Sequence, residues 1–231
     1  MALRVRPIVA IDGPAGAGKS TVSRNVAEAL GFVLVDTGAI YRAVALAAQR
    51  NGIDLSDAAR VTDVARALAV GDALRLLPDP TRGVRVELQG EDVSDAIRSA
   101  EIGLGASAVS VHGEVRSALL ELQRRAGENG GVVLEGRDIG TVVFPDAEAK
   151  FFLTAKPEVR ALRRYEELVA RGQTVTLEQT LREVLARDHQ DVTRAVAPLR
   201  RATDALEIDC SEYTIDETVA LIVSKVRALG K

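Results

Sequence analysis

The chain has 231 residues, 47% of them hydrophobic, with a formal net charge of −3 and a pI near 5.6. That length supports one domain with a sizeable core, and that composition excludes a disordered chain. The mild acidity argues against bulk attraction to nucleic acid. No apolar run approaches the ~20 residues of a membrane-spanning helix, and MALRVRPIVAID is expected to run straight into a strand, so no signal peptide is expected.

PIVAID, Pro7 to Asp12, is apolar and β-branched and reads as a buried strand. GPAGAGKST follows, Gly13 to Thr21, and fits Gly-x-x-x-x-Gly-Lys-Ser. Beyond it Val22, Val26, Ala29 and Leu30 recur at helical spacing, with Gly31 at a C-terminal cap position. A glycine loop between strand and helix is the setting of a phosphate-binding loop. Its backbone N–H groups, from Gly13, Pro14, Ala15, Gly16, Ala17, Gly18, Lys19, Ser20 and Thr21 less the proline, are expected to curl around one anion, helped by the helix N-terminus. Lys19 is expected to lie in solvent until it reaches the outer phosphates of ATP, and the Ser20 hydroxyl suits Mg²⁺. A Gly-x-Gly-x-x-Gly dinucleotide fingerprint from Gly16 fails, because Thr21 stands where its last glycine belongs.

FVLVD, Phe32 to Asp36, reads as a second core strand. Helices are expected at about Ala39–Gln49 and Asp57–Leu68. ALRLLP and VRVEL, around the turn PDPTRG from Pro78 to Gly83, suggest a small inserted antiparallel unit. Helical periodicity resumes from Ile102 to Arg125 with a break near Gly113. Val132–Glu135 and Lys150–Ala155 are the third and fourth core strands, Pro157–Arg171 and Leu177–Gln190 charged helices, Ala205–Asp209 a fifth strand and Ile215–Leu229 a closing helix. Alternation of this kind predicts an α/β fold: a five-stranded parallel sheet with helices on both faces.

Cys210, the only cysteine, excludes internal disulfides and zinc knuckles, and suits a reducing cytoplasm. His112 and His189 are the only histidines and read as surface residues, which argues against a histidine-based hydrolase. The cations are 25 arginines against 5 lysines, so only arginines in a specific local pattern count as signals. Arg187, Asp191 and Arg194 share one helical face by spacing, as a phosphate site or as an exposed salt-bridged helix.

DTGAIYRAVALAA from Asp36, GEDVSDAIR from Gly90, EGRDIGTVVFPDA from Glu135 and RDHQDVTRAVAPLRRATDA from Arg187 join the loop in a distinctive order. Together they resemble the bacterial-type cytidylate kinases, which phosphorylate CMP and dCMP with ATP. The resemblance runs from about Ile8 to the C-terminus. It implies a P-loop kinase with core segments 7–36, 131–155 and 196–231, an NMP-binding subdomain at 37–130 carrying the antiparallel unit, and a lid at 156–195. It places acceptor-phosphate contacts on Arg42, Arg137 and Arg194 with Thr37 near them, a lid contact to the phosphates on Arg187, a ribose contact on Asp191, and cytosine contacts on Ser107, Arg116 and Asp138. Lys19, Arg137, Arg187 and Arg194 are then the catalytic set. Glu135 ends a buried strand, where it holds Mg²⁺ through water or caps structure; Asp12 receives no role. Gly113 stands where the family pattern has proline. The expected partners are CMP or dCMP and ATP, with neither nucleic acid nor membrane, and the expected state is a monomer. Alternatives are another P-loop kinase, for a UMP/CMP or shikimate-like acceptor, and a nucleotide-dependent switch; the Asn/Thr-Lys-x-Asp of a guanine switch does not occur.

Overall fold

The computed structural model describes residues 4–79, 83–170 and 172–229. Its central sheet is parallel throughout, in the order β2 (Val33–Asp36), β6 (Val132–Gly136), β1 (Ile8–Asp12), β7 (Ala149–Thr154), β8 (Leu206–Asp209). The numbering leaves room for an inserted antiparallel sheet of β3 (Leu74–Asp79), β4 (Gly83–Leu88) and β5 (Glu91–Asp92). Every residue of β1 is buried, as a strand covered on both faces requires, and this explains its unbroken apolar run.

One face is covered by α1 (Lys19–Leu30) and α8 (Ile215–Ala228). Val22 and Val26 of α1 pack with Ile222, Val223 and Val226 of α8 over Val9, Ile11, Phe151 and Leu153. Helix α1 ends at Gly31, whose left-handed backbone (φ 63°) returns its N–H to Ala27 and Glu28. The other face carries α2 (Thr37–Arg50), α3 (Ala58–Ala69), α4 (Ala100–Ser110) and α5 (Gly113–Gly127). Here Ile40, Val44, Val61, Val109, Val115 and Leu119 form a second core, on which the antiparallel unit rests Leu74, Val84, Val86 and Leu88. Burying each such side chain contributes roughly 1.5–3 kcal/mol.

Element types and order match the sequence expectation. The helical run over Ile102–Arg125 divides into α4 and α5 at Val111–His112, and Gly113 opens α5. Three elements were not expected from the sequence: the two-residue β5, a 3-10 turn at Ala96–Arg98 and a π turn at Ile139–Val143. The tip of the PDPTRG turn, 80–82, and position 171 at the expected end of a helix lie outside the described residues. The charged hairpin is α6 (Pro157–Ala170) and α7 (Leu177–Thr193); Thr176 and Gln179 form a reciprocal capping box that starts α7.

Register places the chemistry. Asp12 pairs across the sheet with Gly136, and Asp36 with Glu135, so three carboxylates meet at the C-terminal edge of β1, β2 and β6. Open parallel sheets bind ligands at that edge.

Candidate active site

A cleft of about 800 Å³ lies over this edge, lined by the glycine loop, α2, α4, the end of β6, α6 and α7. The loop forms its floor. Gly13 (φ 151°) faces the chain so closely that a Cβ would stand 2.0 Å from the Leu153 carbonyl oxygen, and Gly16 (φ 75°) lies against α6. Gly18 caps α1 with no side-chain hydrogen bond, so the first-turn N–H groups stay available for an anion.

Lys19 departs from expectation. It is 7% exposed rather than in solvent, and its Nζ donates to the Pro14 carbonyl at 2.7 Å. The lysine folds back over its own loop, and the cleft includes it in its lining. Burial, with Arg137 nearby, pushes its ammonium down to about 7. Ser20 donates its hydroxyl to Glu135 Oε2 at 3.0 Å. Glu135 is 4% exposed, and its other oxygen, Oε1, is buried without a hydrogen-bond partner. Burial, reinforced by Asp36, pushes the Glu135 carboxyl up to about 7. An orphaned carboxylate oxygen on Glu135, beside the Ser20 hydroxyl that binds the other oxygen, is a donor set that fits Mg²⁺, which takes few protein oxygens and keeps its waters. Among the described residues no group of three or more His, Cys, Asp or Glu gathers to hold a metal.

The far end of the cleft is built of side chains. Arg137 Nε donates to Asp191 Oδ2 at 2.9 Å, and Arg194 Nη1 to Asp191 Oδ1 at 3.4 Å. Arg116 Nη2 donates to Asp138 Oδ2 at 2.5 Å, and Arg194 Nη2 stands 3.9 Å from Asp138 Oδ1. Arg42 pairs with Asp36 at 2.8 Å, and Thr37 donates its hydroxyl to the Glu135 carbonyl at 2.7 Å. Arg187 is the odd member: burial and Arg137 lower it to about 10, and its Nε is buried without a partner. Arg42 Nε, Arg116 Nε and Arg194 Nη2 are buried without a hydrogen-bond partner too. A buried donor without an acceptor is costly, and four arginines carrying one around a single hollow fit an anion.

The sequence-assigned residues therefore converge. Arg42, Ser107, Arg116, Arg137, Asp138, Arg187, Asp191 and Arg194 line one cleft with Thr37, Lys19, Ser20 and Glu135. The face formed by Arg187, Asp191 and Arg194 points inward rather than to solvent. Ser107 donates to Gln190 Oε1 at 3.2 Å, and Gln190 Nε2 returns a bond to the Ser107 carbonyl at 3.1 Å, joining α4 to α7. His189 is exposed, whereas His112 is half-buried, with Nε2 2.8 Å from the Leu55 carbonyl.

Several contributors escaped the sequence reading. Asp36 caps α2 at the Ala39 N–H while holding Arg42; burial pushes its carboxyl up, but Arg42 outweighs this and keeps it below the usual range. An Asp ahead of a helical run was a cap signal. Tyr41 lies under the Arg116 guanidinium, 5.3 Å from ring centre. Asp12 accepts from the Ile139 and Gly140 N–H groups, both at 2.8 Å, and so pins the π turn that follows Arg137 and Asp138. Burial outweighs those two bonds and pushes its carboxyl up to about 6.

Comparison with known proteins supplies an independent line. The family model described as cytidylate kinase matches residues 9–228. The chain is 52% identical over 220 residues to a cytidylate kinase of Citrifermentans bemidjiense, covering 95% of this chain and 92% of that one. It is 48% identical to a bifunctional pantoate ligase/cytidylate kinase of Gloeobacter violaceus, covering 96% of this chain and 43% of that longer protein. Among solved structures, an uncharacterized protein from Eubacterium ventriosum superposes over 96% of this chain and 99% of that one, with a TM-score of 0.52 at 12% identity.

Proposed function

The chain belongs to the cytidylate kinase family, and on that premise we propose that it transfers the γ-phosphoryl group of ATP to CMP or dCMP, giving ADP and CDP or dCDP. The observation that carries this reading is a single cleft with a phosphate loop at one end and buried, under-partnered arginines at the other. A donor triphosphate fits the loop end and an acceptor monophosphate the arginine end.

The chemistry suits the residues. A phosphate oxygen of the acceptor is already anionic at neutral pH and needs no general base, in keeping with a cleft lining that, among the described residues, includes no histidine. Catalysis then rests on alignment and on neutralising crowded negative charge. Lys19 leaves the Pro14 carbonyl for the donor phosphates, whose charge raises its proton affinity again. Arg42, Arg137 and Arg194 hold the acceptor phosphate, with Thr37 beside them, and Arg187 bridges from the lid. Asp191 faces the ribose, and Ser107, Arg116 and Asp138 face cytosine. Ser20 and Glu135 are the residues that would hold Mg²⁺, which, bound to the donor phosphates, neutralises charge on the transferring group. The cap unit at 37–130 and the hairpin at 156–195 close over the two nucleotides to exclude water. No helix among the described residues is long and apolar enough to cross a membrane; the reading includes a cytoplasmic monomer that binds no nucleic acid.

A coupled ADP assay with CMP, dCMP, UMP, AMP and GMP in turn tests the reading. Acceptor-dependent ADP formation should be strongest with CMP or dCMP. ADP released without any acceptor would favour a nucleotide-driven switch.

A further inference from the structure

Arg160 belongs to α6, and the residues assigned above to a nucleotide that it meets are Ala15 and Gly16 of the loop. It is nonetheless among the most buried charges in the molecule, at 3% exposure. Its guanidinium makes four hydrogen bonds. Nε donates to the Ala155 carbonyl at 2.8 Å; Nη1 donates to the Ala15 carbonyl at 3.1 Å and to Asp188 Oδ1 at 2.9 Å; Nη2 donates to Asp188 Oδ2 at 2.6 Å. One planar group thus joins the end of β7, the phosphate loop and α7. The fit is close on the loop side as well: a Cβ at Gly16 would lie 3.1 Å from Arg160 Cβ and 3.3 Å from its carbonyl oxygen.

Two consequences follow from geometry. A trans peptide points its C=O and the next N–H in opposite directions. With the Ala15 carbonyl held toward Arg160, the Gly16 N–H is turned away from α6, and charge-assisted donation to that carbonyl polarises the same peptide. On the other side, Asp188 sits between Arg187 and Asp191 on α7, so the bidentate pair sets the height and rotation of the helix that presents Arg187, Asp191 and Arg194 to the cleft.

We propose that Arg160 is a positioning residue for phosphoryl transfer, a strut that keeps the arginine face of α7 in register with the loop that holds the donor phosphates. It touches no reacting atom. A phosphoryl group in flight must meet ligands from both ends at once, and a misplacement of about 1 Å costs on the order of 100-fold in rate. Lysine cannot replace it, because one ammonium cannot reach four acceptor oxygens spread over three residues in the plane of a guanidinium.

The proposal rests on the phosphotransfer reading above, and the test separates the two. Steady-state kinetics with ATP and CMP would be measured on the parent, Arg160→Lys, Asp188→Asn and the double variant Arg160→Met with Asp188→Asn, alongside thermal unfolding. The double variant leaves no unpaired buried charge and keeps the test valid if Arg160→Lys folds poorly. We expect kcat to fall about 10- to 100-fold in Arg160→Lys and in the double variant, with KM for ATP and for CMP each within about threefold of the parent. Asp188→Asn alone should lose less, since the bond to Ala15 survives. A folded Arg160→Lys or double variant with kcat within about twofold of the parent would overturn the strut, as would a loss confined to the KM for ATP. A parent that forms no CMP-dependent ADP would overturn the phosphotransfer reading and the strut with it.

Discussion

The two ends of the cleft are made differently. The donor end is nine consecutive residues whose working groups are backbone N–H donors, shaped by Gly13, Gly16 and Gly18. The acceptor end is drawn from five elements, α2, α4, α5, the end of β6 and α7, and its working groups are guanidinium and carboxylate side chains. A backbone site is fixed by local conformation, and its sensitive positions are the positive-φ glycines Gly13, Gly16 and Gly18 rather than side chains that pair with one another. A side-chain site depends on packing far along the chain and on charges that hold one another apart. Single substitutions should therefore act in different ways at the two ends.

The largest effect should come at the donor end, from its one essential side chain. Lys19→Met is expected to lower kcat by roughly 100- to 1,000-fold, the range for removing a donor aimed at developing charge. The same change should stabilise the ligand-free fold near neutral pH. The ordinary lysine value is 10.5, and burial brings Lys19 to about 7. Between those values the unfolded chain binds a proton that the folded chain does not, so the parent gains stability as pH rises from 7 toward 10.5. Lys19→Met lacks that slope. Its Tm should exceed the parent's at pH 7, with the gap closing by pH 10; equal gaps at both pH values would show that Lys19 carries no buried-charge cost.

Arg137→Lys probes the acceptor end. It keeps the charge but removes the planar fork that links Asp191 to the hollow. Turnover should fall about 10- to 100-fold, with a larger rise in KM for CMP than for ATP. A KM change confined to ATP would place Arg137 on the wrong side of the cleft.

This contrast also explains what could be read without coordinates. The loop declared itself because its glycines, lysine and serine are contiguous and flanked by strand and helix signals. The five parallel strands were legible from short β-branched runs such as IVAID and VVLE. The arginine end is spread over Arg42 to Arg194, and with 25 arginines in the chain no single one carries a signal; the family resemblance, not spacing, singled them out. Burial was hidden altogether. Lys19 was expected in solvent, yet it is 7% exposed in a cleft whose lining includes residues of α6 and α7. Asp12 had no role until the fold brought the N–H groups of Ile139 and Gly140, over 120 residues away, onto its two oxygens. Arg160 looked like any arginine of a charged helix.

Asp138→Ala separates reading the base from ordering the site. Its carboxylate is already engaged, through Oδ2, by Arg116, while Oδ1 stands 3.9 Å from Arg194, beyond hydrogen-bond range. Cytosine offers an amino donor where uracil offers a carbonyl, so an acceptor at Oδ1 would favour CMP. Such a charged hydrogen bond contributes roughly 1.5–3 kcal/mol, about 10- to 150-fold in kcat/KM. The variant should lose most of its CMP activity and much of its preference over UMP. If CMP and UMP activities fall by one factor, Asp138 serves only to anchor Arg116.

The smallest effect should come from the contact that closes the acceptor end. Ser107 and Gln190 exchange two neutral hydrogen bonds, each partly reached by solvent, between α4 and α7. Neutral bonds of this kind contribute about 0.5–1.5 kcal/mol net, because water replaces them when they open. Gln190→Ala frees Ser107 for the base but removes the tie that draws α7 toward it. If the tie dominates, KM for CMP rises about two- to tenfold while KM for ATP is unchanged, since the side-chain bonds of Gln190 go to Ser107 of α4. If Gln190 instead competes with the base for the Ser107 hydroxyl, KM for CMP falls. Ser107→Ala sharpens the distinction. It removes the hydroxyl bond but leaves the backbone carbonyl that Gln190 Nε2 also uses, so half the tie remains. A Ser107→Ala loss larger than that of Gln190→Ala would assign the hydroxyl to the base, and a smaller one would assign it to the tie.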